Sequence, residues 1–229
     1  MLNTRDYKEP ILLFSGGKDS LLCLLMLRDQ LDHINVVFVN TGKVFPEALQ
    51  FIDTIKPLCK KFIELHSDKA RDWQIHGLPS DLINPIVGKY QSVKSCCYKN
   101  LTLPTINLIK ALDSRLLIRG CKTTDTIYDG YKSLSMVEGV LIYNPIENFT
   151  DYQVIEALKT YDINLPDHYN FKHTSLDCMD CTGYLKDTKD RLELLKVKYP
   201  EAYAEVKANI ETIIKVSENT LDSIRKSIL

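Results

Sequence analysis

Six consecutive residues, Ser15-Gly16-Gly17-Lys18-Asp19-Ser20, have the types and spacing to hold a phosphate. They follow the apolar run Ile11-Leu12-Leu13-Phe14 and lead into Leu21-Leu22-Cys23-Leu24-Leu25-Met26-Leu27. The segment reads as a buried strand, a glycine turn and a helix. Two glycines let the backbone approach a ligand with no Cβ in the way. The open N–H groups and the dipole of a helix start favour an anion. Lys18 adds a mobile positive charge, and Ser15, Asp19 and Ser20 can cap the helix or hold a Mg²⁺-bound phosphate. An ordinary Gly-Gly turn with Asp19 or Ser20 as N-cap is the structural alternative. The complete hexapeptide between strand and helix favours phosphate, although it lacks the eight-residue spacing of the P-loop.

A second chemical group is made of cysteines. Cys96 and Cys97 are adjacent, and Cys178 and Cys181 form a C-x-x-C, with residues 98 to 177 between the pairs. Two intervening residues let a tight turn aim both sulfurs at one centre, and four thiolates can hold zinc or an iron–sulfur cluster. The alternative is four inert, buried thiols. Spacing does not choose between zinc and [4Fe–4S], though an adjacent pair is awkward around tetrahedral zinc.

These residues need a scaffold, and the chain supplies an ordinary one. Its 229 residues suit one α/β domain with elaborations. Formal net charge is −1, so no global basic field draws in nucleic acid, and such a partner needs a local patch or another subunit. Met1 to Pro10 is polar and unlike a signal peptide, and the longest apolar run is short of a bilayer span. Seven cysteines, an odd number, and no export signal predict a reducing, cytoplasmic setting without membrane attachment.

Further strands are predicted at Ile34 to Val39, Phe62 to Leu65, Leu116 to Ile118 and Val140 to Tyr143. Helices are predicted from Pro46 to about Cys59, from Cys97 to Leu112, and from the Thr150 cap to about Tyr161. Residues 66 to 95 show no steady period and read as irregular structure with short helical pieces. Lys186 to Leu229 reads as a helical tail that packs on its own core or forms a homodimer surface. Alternating strands and helices imply a doubly wound parallel sheet with ligands at the carboxyl ends of its strands. The 15–20 loop, the Thr41-Gly42 turn and the loop after Gly120 are expected at that edge. Residues 1–184 are expected to carry the nucleotide and cysteine sites, with 185–229 as a helical extension.

The hexapeptide resembles the SGGxDS loop of the ATP pyrophosphatase (PP-loop, adenine nucleotide alpha hydrolase-like) superfamily, whose members cleave ATP between the α and β phosphates or bind related adenylyl nucleotides. Cys96-Cys97 followed by Cys178 and Cys181 resembles the [4Fe–4S] ligand set of adenylylsulfate reductases, within the phosphoadenylylsulfate reductase family. Asn40-Thr41-Gly42-Lys43-Val44-Phe45-Pro46-Glu47 is similar to the family's DTGxxFPE segment beside the adenosine, with Asn40 at the usual Asp. Gly120 to Thr126 resembles a GxRxxES pattern, with Lys122 at the Arg position and Asp125 at the Glu position. Lysine does not reproduce the guanidinium fork. Asn144-Pro145-Ile146 with Phe149-Thr150 resembles the NPLxxWT segment.

The family's reductases attack sulfate sulfur with a cysteine in a Glu-Cys-Gly segment near a mobile C-terminus. This chain has no cysteine after Cys181. What is left resembles the ATP-pyrophosphatase component of DNA phosphorothioation systems, which works with a cysteine desulfurase, and the iron–sulfur tRNA thiolases. That resemblance implies ATP, Mg²⁺ and a [4Fe–4S] cluster as cofactors. Adenylylation would activate a substrate for sulfur insertion, and a desulfurase and a nucleic-acid-binding subunit would be partners. Ser15 to Ser20 would grip the phosphates, Thr41, Gly42 and Gly120 would border the nucleotide, and Lys18, Asp19, Lys122 and Asp125 would serve the reaction. Two alternatives stand: a sulfonucleotide reductase using Cys121 or a partner thiol, and a non-catalytic nucleotide-binding subunit.

Overall fold

Three uncharged residues, Ile11–Leu13, form β1 at the middle of a six-stranded sheet. The computed structural model describes residues 1–81, 90–125, 130–161, 163, 165, 169, 178–184 and 189–228. The sheet order is β3 (Lys61–His66), β2 (Asn35–Asn40), β1, β6 (Leu116–Ile118), β8 (Val140–Tyr143) and β7 (Ser135–Val137). All neighbours are parallel except β7, which runs antiparallel to β8. Ile11 lies opposite both Asn35 and Leu117, so β1 is paired on each side. The chain moves from β1 toward β2 and β3, whereas β6 is followed on its other side by β8. Order therefore reverses between β1 and β6, where the strands' carboxyl ends leave a crevice.

Alternation along the strands explains one core face. Ile11 and Leu13 pack with Val37, Leu117 and Ile142, and Leu108, Ile109 and Leu112 of α5 (Leu103–Leu112) cover them. Helix α1 (Lys18–Met26) is buried over Leu21 to Leu25 and packs against α6 (Asp151–Lys159). A capping box starts α6: Thr150 accepts from the Gln153 N–H, and the Gln153 side chain accepts from the Thr150 N–H. Helix α2 (Pro46–Ile55) places Pro46 at its first turn, as expected, and gives way to a 3-10 turn at Lys56–Leu58 rather than continuing to Cys59.

The chain divides into two compact units. One holds residues 1–40, 45–66 and 104–175, including the whole six-stranded sheet. The other holds 41–44, 67–103 and 176–229, so residues 178–184 group with the tail across the boundary drawn at 184 from sequence. In this second unit, α3 (Lys69–His76) precedes a small parallel pair, β4 (Leu78–Ser80) with β5 (Tyr90–Ser92), and then α4 (Val93–Cys97). Only Lys69 of α3 is buried, which is why no apolar period marked this helix in the sequence. Residues 82–89, within the segment read as irregular, lie outside the described residues.

The helix expected from Cys97 begins at Val93, where the Ser92 side chain accepts from the Ser95 N–H. It then widens into a π turn at Tyr98–Thr102 before α5. Pro104 has no N–H and its ring crowds the carbonyl four residues back, so a wider turn lets the helix pass it. The tail is two helices, α7 (Lys189–Lys198) and α8 (Pro200–Ile228), divided at Tyr199 just before a proline. Strand β7 was not foreseen, since three residues ending at a left-handed Glu138 (φ 47°) offer no period. No helix among the described residues is long and apolar enough to cross a membrane.

Replacing Thr150 by Ala removes the hydroxyl half of the capping box and leaves the backbone N–H of residue 150 to the Gln153 side chain. Urea unfolding is expected to show a loss of about 1 kcal/mol.

Candidate functional site

The glycine loop leaves β1 at the crevice between β1 and β6. Gly16 has φ +79°, and a Cβ there would stand 3.2 Å from Ile52, so only glycine adopts this turn without strain. Gly17 is the N-cap of α1 and offers no side chain to its first turn. Neither Asp19 nor Ser20 caps the helix. The Ser20 hydroxyl donates to the Gly17 carbonyl (3.0 Å) and accepts from the Ser15 N–H (3.2 Å). The Ser15 hydroxyl accepts from the Gly17 N–H (3.3 Å). The serines thus close the loop upon itself and shape it. The Lys18 N–H donates to the hydroxyl of the buried Tyr169 at 2.8 Å. Sequence gave no sign of Tyr169 beyond an aromatic in a loop.

Beneath this loop two ammoniums and three carboxylates interlock. Lys18 Nζ lies 2.8 Å from Asp19 Oδ2 and 2.7 Å from Asp151 Oδ1. Lys122 Nζ lies 2.7 Å from Asp125 Oδ1, 2.8 Å from Asp19 Oδ1 and 3.5 Å from Asp151 Oδ1. Asp19 Oδ1 meets that ammonium as an ion pair, off the axis of a well-directed hydrogen bond. The two lysine side chains are 3% and 2% exposed, so their charges depend on these partners. Burial opposes the charge of Lys122, but pairing with the Asp125 and Asp19 carboxylates outweighs it and holds the ammonium above the ordinary lysine range. Burial likewise acts to raise the Asp151 carboxyl, and the Lys18 hydrogen bond overrides it, leaving the group below the ordinary carboxylate range.

The chain brings these groups together from three loops. Lys18 and Asp19 begin α1, Lys122 and Asp125 follow β6, and Asp151 opens α6 after β8. Asp125 also accepts from the Lys122 N–H at 2.8 Å, which folds their loop back on itself. Gly120 permits the approach, because a Cβ there would fall 2.7 Å from the Ser20 nitrogen and 2.8 Å from the Asp19 carbonyl carbon. Asp151 escaped notice in the sequence because, as the first residue after a cap, it read as dipole compensation alone.

The four cysteines belong to the other unit and line one cavity there with Thr41, Lys69 and Trp73. Each sulfur has a polar hydrogen directed at it or within reach. The Trp73 indole N–H donates to Cys96 Sγ at 3.2 Å, and the Gly183 N–H donates to Cys181 Sγ at 3.4 Å. The hydroxyls of Thr41 and Tyr184 lie 3.2 Å from Cys178 Sγ and 3.6 Å from Cys97 Sγ. Thr41, expected beside an adenosine, thus has its hydroxyl on a cysteine, while Gly42 faces open space at φ +86°. Burial pushes the thiols of Cys96, Cys97 and Cys178 up, Cys97 to about 12. Among the described residues no three His, Cys, Asp or Glu side chains converge closely enough to hold a single metal ion.

Residues 9–184 match the family model of the phosphoadenosine phosphosulfate reductase domain. The chain belongs to that family. A phosphoadenosine 5'-phosphosulfate reductase of Proteus mirabilis (strain HI4320) is 25% identical over 162 residues, 69% of this chain. The match spans 63% of that relative's own length. Among solved structures, the phosphoadenylyl-sulfate reductase of Candida auris, in a phosphate complex, aligns with TM-score 0.54 and 12% identity over 73% of this chain and 81% of its own. The NH3-dependent NAD synthetase of Campylobacter jejuni, in complex with nitrate, aligns with TM-score 0.50 and 17% identity over 90% and 85%. These likenesses establish the fold: a mostly parallel sheet flanked by helices.

Gly120→Ala forces a methyl group onto the backbone of α1. It is expected to cost about 1–3 kcal/mol in urea unfolding. The depressed Asp151 carboxyl contributes stability that is complete above the unfolded value of about 3.9 and is lost as pH falls through its lower folded value. Stability measured stepwise in acid should therefore fall less steeply for Asp151→Asn than for the parent.

Proposed function

We propose that this chain cleaves ATP between the α and β phosphates and adenylylates a substrate oxygen so that sulfur can replace it, with nucleic acid as the acceptor. The observation that carries the reading is the convergence of two buried ammoniums, Lys18 and Lys122, with Asp19 under the Gly16-Gly17 turn. A polyphosphate laid over that turn meets the α1 N-terminus and two cations. Two ammoniums against three carboxylates leave one formal negative charge. Polyphosphate entry therefore calls for Mg²⁺, for displacement of the half-exposed Asp151, or for both.

In the proposed step a phosphate or carbonyl oxygen of the substrate attacks the α phosphorus. The bond to the bridging oxygen breaks, and its electron pair leaves on pyrophosphate. Lys18 offsets that growing charge, and Mg²⁺ would be held against the phosphates by Asp19. Ser15, Ser20 and Gly120 keep the loop in shape, and Lys122 holds Asp19 and Asp125 in place. The adenylate then carries AMP as a leaving group for sulfur, supplied with a cysteine desulfurase and delivered by a nucleic-acid-binding subunit.

Cys96, Cys97, Cys178 and Cys181 line one cavity, and these four thiols would hold a [4Fe–4S] cluster. The polar groups of Thr41, Trp73, Asn100, Gly183 and Tyr184 near the sulfurs suit anionic ligands. When bound, such a cluster supplies a one-electron redox site and iron–sulfide bonds.

A reductase reading is favoured by the family and by the Proteus mirabilis relative. Within these 229 residues Cys121, next to Lys122, is the candidate thiol for that reaction. The two readings separate in one assay. With ATP and Mg²⁺, AMP and pyrophosphate are expected, falling at least tenfold in Lys18→Ala. Sulfite from adenylylsulfate and reduced thioredoxin, abolished in Cys121→Ser, overturns the adenylylation reading. Nucleotide binding without turnover, with partners present, overturns both in favour of a binding subunit.

A further inference from the structure

Two apolar stripes run along α8, and they are not buried alike. Val206 and Ile213, seven residues apart, are each 1% exposed. Ile214, Leu221 and Ile228, again seven apart, are 40%, 53% and 78% exposed, with Ile224 between them at 51%. The buried stripe stops at Ile213, one residue before the exposed stripe begins. From Leu221 to Ile228 every residue is exposed, yet the helix continues unbroken. Turns of helix exposed on all sides are marginal in water, because most helical stability in proteins comes from a packed face.

The exposed residues have the order of a coiled-coil seam. Ile210, Ile214, Ser217, Leu221, Ile224 and Ile228 alternate spacings of four and three. Ser217, the one polar member, donates its hydroxyl to the Ile213 carbonyl at 2.8 Å, so it can be covered without losing a hydrogen bond. Beside the seam stand Glu211, Glu218 and Arg225, also seven apart and all exposed. We propose that this face pairs with a second copy of the chain, the two α8 helices lying antiparallel about a two-fold axis near Glu218. Ile214 then packs with Ile224 of the second copy, Ser217 with its Leu221 and Ile210 with its Ile228. The same register sets Glu211 beside Arg225 of the second copy, and the two-fold axis makes that pair twice. A parallel pair would instead face Val206 with Glu211 and Thr220 with Arg225, which brings no opposite charges together. Charge thus selects both the occupant and its direction, since the face complements itself. Glu211 and Arg225 now pair within their own helix, with Lys207 at 3.6 Å and Asp222 at 3.1 Å, each more than half exposed and free to exchange partners. Lys207 and Lys215 alternate with Glu211 and Glu218, so the helix offers no basic field to an anionic membrane.

The test is sedimentation equilibrium of the full chain and its variants, with circular dichroism to confirm folding. The parent is expected to dimerise and Leu221→Glu to be a folded monomer. Glu211→Arg and Arg225→Glu are each expected to weaken the dimer about fivefold, and Glu211→Arg/Arg225→Glu to restore the parent's affinity. Glu218→Gln relieves a like-charge pair across the axis and is expected to tighten the dimer. A parent that stays monomeric overturns the proposal, and sedimentation of that monomer with phosphatidylglycerol vesicles would give the face to a lipid surface instead. A dimer that survives Leu221→Glu also overturns it, because the interface then lies elsewhere. A double variant no tighter than the single ones overturns the antiparallel pairing. None of these outcomes bears on the adenylylation reading.

Discussion

Asp19 is held between two ammoniums that have almost no access to water, and the nucleotide-facing half of the molecule depends on that arrangement. A lysine buried without a counter-charge costs several kcal/mol, and breaking such a pair costs about 3–5 kcal/mol. Lys18 and Lys122 can sit under the glycine turn only because Asp19, Asp125 and Asp151 meet them there. Each carboxylate comes from a different loop or helix start at the carboxyl edge of the sheet. The charge network therefore ties the loops after β1, β6 and β8 to one another and fixes two cations where a polyphosphate would need them.

Glycine is what brings the network within range. At Gly120 any side chain would strike the first turn of α1, and at Gly16 the backbone turns through a left-handed conformation against Ile52. Ser15 and Ser20 spend their hydroxyls on the loop's own backbone, so the loop stands preformed. The cysteine cavity shows the same economy of means. There the sulfurs are met by an indole N–H, a backbone N–H, the Asn100 amide and two hydroxyls, and a buried lysine paired with Asp180 lines the same cavity.

Much of the fold was legible because its signals are local. The apolar runs of β1, β2 and β6, the Pro46 and Thr150 helix starts and the Gly-Gly turn all announce themselves within a few residues. Where structure departed from that reading, the cause was non-local. Helix α3 is polar on nearly every side, and its one buried residue is a lysine held by Asp180 far along the chain. Strand β7 exists only because β8 offers it an edge. The π turn before α5 answers to a proline inside a longer helix.

Sequence alone determined that a glycine turn with a lysine and an aspartate stands between strand and helix, and that two cysteine pairs occur in one chain. Those facts depend on neighbours a few residues apart, or on mere composition. Tertiary structure decided the partners. It buried Lys122 against Asp19 and Asp125, brought in Asp151 and Tyr169, set the Thr41 hydroxyl beside a cysteine, and put Lys69 in the lining of the cysteine cavity. Charge and hydrogen-bond pairing act through space across a hundred residues or more, as Lys18 with Asp151 and Lys69 with Asp180 do. No window of sequence contains both members.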